Sequence, residues 1–305
     1  MDEDIVKLEK DNKILFKKLI RNILLVISFI VLVMCYFLSS PYGNKDVIIH
    51  ISSGQTISSI TKELQEKDSI RNQITLKVFI KLLKSGNGVV SGDYLINKNS
   101  PVWVVAWQIG RGHHNIEPIK ITIREGLNNE QIASLLADKL AGFRKDLFLN
   151  GIEGKQGYLF PDTYFFYPLD TSDEIIKKLS DNFERRTKNI QQLTIKSGKD
   201  FKDILIMASI LEGEASGKED AKIISGILWK RISLGMPLQV DVDKSTYTTK
   251  GLPLNPLNNP GLLSIEASLN PIDSSYLYYL HDKEGIAHFA KSFEEHKKNI
   301  NNYLK

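Results

Sequence analysis

Cysteine is almost missing: Cys35 is the single one in 305 residues. A disulfide within the chain is therefore excluded, as is any metal site assembled from cysteines. The scarcity does not fix a compartment, because exported chains can lack cysteine altogether. Strong charge of one sign is missing too. A net charge of +4 with scattered lysines, and no RNP, zinc-finger or basic-helix pattern, argues against nucleic acid as a partner. The chain has no G-x-S-x-G elbow, no P-loop and no G-x-G-x-x-G, which removes three common nucleophile and phosphate devices. His113 and His114 are adjacent and cannot converge on a metal as an i, i+4 pair does. His281, His288 and His296 read as structural or surface positions. No metal and no cofactor is implied.

What remains is ordinary folding material, 42% hydrophobic and 25% charged, enough for one large domain or two to three small ones. One long apolar run stands out, "ILLVISFIVLVMCYFL" at 23–38, broken only by Ser28. With Ser39 and Ser40 it approaches the length of about 20 residues that a spanning helix needs. A charged lead of 22 residues and the lack of an A-x-A site favour an anchor over a cleaved signal. Lys17, Lys18 and Arg21 place the N-terminal side in the cytoplasm by the positive-inside rule. The expectation is a cytoplasmic tail over 1–22, a single-pass transmembrane anchor over 23–40, and an extracytoplasmic remainder.

Beyond the anchor, "VIIHISSGQTISSITKEL" (47–64) and "PIKITIREGLNNEQIASLL" (118–136) align at a constant offset of 72. Each reads as a short alternating strand, a glycine turn and a capped helix. A repeat region over 46–150 built from small α/β modules follows. Residues 151–305 form a second, mainly helical domain, so the fold class is α+β. Its expected helices cover 171–190 (Ser172 as N-cap), 203–215, 219–235 and 262–271, with a strand over 275–282 and a last helix within 286–305. The Pro-, Asn- and Gly-rich stretch 236–261 reads as a long functional loop.

In "ILIMASILEGEASG" an apolar run ends on two acids, Glu212 and Glu214. At 100° per residue Glu214 follows Met207, Ile210 and Leu211, and Glu212 sits beside Leu205 and Ala208. Only Lys202, Ser209 and Gly213 are left for an exposed strip. Apolar flanks favour a protonated carboxyl, the state a general acid needs. Spacing alone leaves open the plainer alternative, two acids reaching water past a helix end.

"GYLFPDTY" (157–164), "MASILEGEA" (207–215), "LWKRISLGMPLQVD" (228–241), "STYTTKGLP" (245–253), "NPG" (259–261) and "ASLNP…YLYYL" (267–280) together resemble the endolytic murein transglycosylases, the MltG or YceG-like family. The resemblance covers nearly the whole chain. It implies an anchored inner-membrane enzyme with a LysM-like module over 46–150 and a lytic-transglycosylase-like catalytic domain over 151–305. The implied substrate is the glycan strand of peptidoglycan, near peptidoglycan synthases. The implied general acid/base is Glu214, with Glu212 as supporting acid and Gln239, Asp241, Tyr247, Asp162 and Tyr164 in the substrate pocket. The implied product is a 1,6-anhydro sugar; the alternative is a tethered glycan-binding protein without activity. The chain departs from the pattern at Gln156, where the family usually has Glu (Glu153 stands three residues earlier), and in the short 242–244 segment between "LQVD" and "STY".

Overall fold

The computed structural model describes residues 2–38, 45–83, 89–140, 142–215 and 217–304. Its first element is a helix, α1, Asp2–Leu38. Residues 23–33 of α1 are exposed throughout. Among the described residues, no helix is long and apolar enough to cross a membrane. The expected 23–40 span is thus not found there, and its residues 39 and 40 lie outside the described ones.

The rest divides into two compact units, with the boundary between Glu117 and Pro118. In the first, β1 (Val47–Ile51) pairs antiparallel with β2 (Gly92–Ile96), Ile49 opposite Tyr94. Helices α2 (Ile57–Glu66), α3 (Gln73–Leu83) and α4 (Val102–Arg111) cover it. Ile49, Ile51, Leu64, Leu76, Ile80 and Tyr94 form its core.

In the second unit β3 (Ile119–Thr122) pairs with β4 (Thr163–Phe166), so the second repeat copy shares a sheet with a segment beyond residue 150. Both copies follow one local course. Gly54 and Gly126 have φ of 82° and 78°, a region open to glycine at no steric cost. Thr56 and Asn128 then cap α2 and α5 (Asn129–Lys139). Next come α6 (Lys145–Gly151) and the long α7 (Ser172–Ser197). Thr171, not the expected Ser172, caps α7, because Thr171 is extended and exchanges a capping box with Glu174. Ser172 is buried in the first turn and donates to the Arg144 carbonyl.

The centre of this unit is α8, Phe201–Glu214, with every residue from Ile204 to Leu211 buried. A helix apolar on all sides must be enclosed, and α9 (Lys218–Ser233) and α10 (Leu262–Leu269) pack on it. Ser209, expected on an exposed strip, is fully buried. Its hydroxyl donates to the Ile206 carbonyl and accepts from the Leu257 amide, 2.7 and 2.9 Å, which meets its polar needs inside the core. The chain closes with the hairpin β5 (Tyr278–His281) and β6 (Ala287–Ala290), then α11 (Phe293–Tyr303).

Candidate active site

Glu214 occupies the last turn of α8, after which Ala215 turns extended. The apolar run needs enclosure and the helix stops where that need ends, so its final carboxylate emerges half-buried at the rim of the core. The C-terminal end of a helix carries partial negative charge, and the charge of Glu214 is met by donors from elsewhere. Its Oε1 accepts from the amides of Asp241 and Val242 at 2.9 and 3.4 Å, and its Oε2 from the Tyr279 hydroxyl at 3.0 Å. Burial first, and the neighbouring carboxylate second, push the Tyr279 phenol well above its ordinary range, so it stays a donor.

The segment 238–241 delivers the next groups. Leu238 and Val240 are buried in the core, while Gln239 and Asp241 line the cleft. Gln239 holds this course only by taking φ of 54°, a left-handed backbone that costs a non-glycine residue energy and is concentrated at functional sites. Thr246 fixes it: its carbonyl accepts from the Gln239 amide and its hydroxyl from the Val240 amide, both at 3.0 Å. The Asp241 carboxylate accepts from Lys244 and, at 2.9 Å, from the Tyr247 hydroxyl. These two hydrogen bonds hold its carboxyl below the usual range, so Asp241 is a fixed anion with its partners engaged.

Glu214, Gln239, Asp241 and Tyr247 therefore meet in one cleft of about 530 Å³. The other expected site residues lie elsewhere. Glu212 turns toward α10, accepting from the Gly261 amide and the Ser264 hydroxyl at 2.9 and 2.8 Å. Tyr164 is buried, its hydroxyl donating to the Phe160 carbonyl and accepting from Asn182. Burial raises the Tyr164 phenol to about 12. Asp162 accepts from Asn182 and pairs with Arg186 at 2.9 Å. These three residues organise the scaffold. Gln156 also has a scaffold role: it accepts from the Asn129 amide and donates to the Leu257 carbonyl, and a glutamate could not make the second bond.

Sequence reasoning missed Arg231, Tyr278, Tyr279, His281 and His296, which line the same cleft. A signal for Arg231 was present. On α9 it continues the stripe of Ile224, Ile227 and Leu228, so a guanidinium stands where periodicity calls for an apolar side chain.

The YceG-like family matches residues 49–243 and 245–302. An endolytic murein transglycosylase of Bacillus subtilis is 28% identical over 307 residues, covering 85% of each chain. One from Streptococcus pneumoniae R6 is 23% identical; 85% of this chain is covered, but only 58% of that longer relative. A crystal structure of a yceG-like protein of Listeria monocytogenes, 24% identical, superposes with a TM-score of 0.54 over 83% of this chain and 99% of its own.

Proposed function

The chain belongs to the YceG-like family, and from that premise we propose that it is an endolytic lytic transglycosylase of peptidoglycan. The observation that carries the reading is the placement of Glu214 in one cleft with Gln239 and Tyr247, in a chain matched to the YceG-like family over nearly its whole length. Ordinary glycosidases need two carboxyl groups, the second as nucleophile or base. A lytic reaction needs one. Protonated Glu214 delivers its proton to the glycosidic oxygen between N-acetylmuramic acid and N-acetylglucosamine, and the C1–O bond breaks. The muramyl C6 hydroxyl then attacks its own C1 and gives its proton back to the Glu214 carboxylate. A 1,6-anhydro sugar forms, no water is consumed, and the intramolecular nucleophile supplies proximity. Gln239 and Tyr247 position the sugar and face the developing oxocarbenium charge.

The setting follows the same reading. Residues 1–22 are a cytoplasmic tail and the apolar 23–40 stretch tethers the chain to the cell membrane, facing newly made strands outside. The exposed apolar surface of α1 supports this. The LysM-like glycan-binding role expected over 46–150 falls to the first unit up to Glu117, the catalytic role to the unit from Pro118 onward that includes 151–305, and peptidoglycan synthases supply the strands. Mass analysis of glycan digests tests the chemistry. Wild type yields anhydro-muramyl ends, and Glu214→Gln loses at least about a hundredfold in rate, the scale of a general acid's contribution. Reducing-end muramic acid in their place, or undiminished cleavage by Glu214→Gln, would refute it.

A further inference from the structure

The cleft holds a cation without a counter-ion. Arg231 is 4% exposed, and among the described residues no carboxylate lies within 4 Å of it. Its Nη2 donates to Gln239 Oε1 at 2.5 Å, but its Nε is buried with no acceptor. Two more cleft residues share this state: His281 Nε2 and His296 Nδ1 are buried and unpartnered. Arg231 and His296 adjoin through Tyr278, whose ring lies 5.5 Å from the guanidinium carbon and stacks on His296 at 5.4 Å, while His281 lies edge-on to the neighbouring Tyr279 at 6.2 Å. Buried polar groups are almost always satisfied, and a buried charge is costly unless paired. A folded protein that keeps three such nitrogens in one cleft is short of a ligand oxygen.

We propose that Arg231, with His296 and His281, forms a carboxylate-binding subsite that recognises the acid carried by a muramyl residue. The proposal rests on the peptidoglycan reading above. A singly charged, planar carboxylate matches one guanidinium, whereas a multiply charged phosphate would also face Glu214 and Asp241 across the same cleft. The carboxylate has two sources in such strands: the lactyl group where no peptide is attached, and the stem peptide where one is. The subsite thus makes the acidic substituent, and not the sugar backbone alone, part of what the cleft reads.

Calorimetric titration of the full chain in detergent, as Glu214→Gln to prevent turnover, tests this. The probes are chitotetraose and the alternating N-acetylglucosamine–N-acetylmuramic acid tetrasaccharide, which differ only in lactyl groups. The acidic tetrasaccharide should bind at least about tenfold tighter, the scale of one charged hydrogen-bonded pair. The advantage should vanish when its carboxylates are converted to methylamides, an arm that needs no further variant. It should vanish also in Arg231→Gln, and fall several-fold in His296→Phe. A peptide-bearing tetrasaccharide that keeps an Arg231-dependent advantage assigns the carboxylate to the stem; loss of the advantage assigns it to the lactyl group. Equal binding of acid and methylamide, or displacement by inorganic pyrophosphate at lower concentration than by acetate, overturns the proposal. Binding of neither saccharide, with no cleavage by wild type, sinks the peptidoglycan reading itself.

Discussion

Asn259 shows how much a single buried amide can hold together. Its Oδ1 accepts from the Gly157 and Leu159 amides, and its Nδ2 donates to the Leu127 carbonyl and Asn129 Oδ1. Three segments far apart in sequence are joined at one fully buried side chain. Its place in "NPG" marked it as a family residue, but nothing local in the sequence reveals four partners 100 and more positions away. Asp162 is the complementary case, a residue expected in the pocket that serves the scaffold. Burial raises its carboxyl, but hydrogen bonds from Arg186 and Asn182 outweigh that and leave it below its ordinary value. A depressed carboxyl contributes stability above the unfolded value of about 3.9, and that contribution is lost as pH falls through the lower folded value. Asp162→Asn should therefore cleave glycan strands near the wild-type rate. At pH 6 it should unfold more easily by up to about 1 kcal/mol, discounted for its partial exposure. In denaturant titrations repeated at falling pH the gap should close; a gap that persists to pH 2, or loss of cleavage, would return Asp162 to the site.

At the level of elements, α9 and α10 were legible because their apolar residues recur at helical spacing, and α8 because a continuous apolar run lies within a segment of helix length. The short strands were harder. β4 lies within an aromatic run and β6 is four residues long, too few to establish an alternation before pairing defines them. β5 was expected over 275–282 and pairs only over Tyr278–His281, since the hairpin partner sets its ends. The cleft was half legible: motifs reached Glu214, Gln239, Asp241 and Tyr247, but the C-terminal hairpin and α11 enter it only through tertiary packing. Close packing also fixes Gly226 on α9. A Cβ there would stand 2.0 Å from the Ile272 carbonyl oxygen, a backbone atom with little freedom to yield. Gly226→Ala should destabilise by about 3 kcal/mol, at the upper end of overpacking costs, measured by chemical unfolding. A change below about 0.5 kcal/mol would mean that the α9 contact with the 270–274 turn is loose.

For the whole molecule, the division at Glu117/Pro118 has a thermodynamic counterpart, since each unit carries its own core. Calorimetry of the full chain should resolve two transitions. Leu76→Ala should lower one and Leu211→Ala the other, each by the 2–5 kcal/mol typical of such truncations. A single transition moved by both would show one cooperative body. The repeat was visible in sequence because its glycines and caps recur at one offset; the pairing of its second copy with β4 was not, because strand partnership is a long-range choice. Tyr279 donates to Glu214, and Phe293, His296, Ile300 and Leu304 line the same cleft. A growing chain that has reached residue 270 carries all of α8 and its acid but no finished cleft. The cleft gains these walls only after the hairpin and α11 have been made and have folded back, so local helix formation places the Glu214 carboxylate well before long-range contacts enclose it.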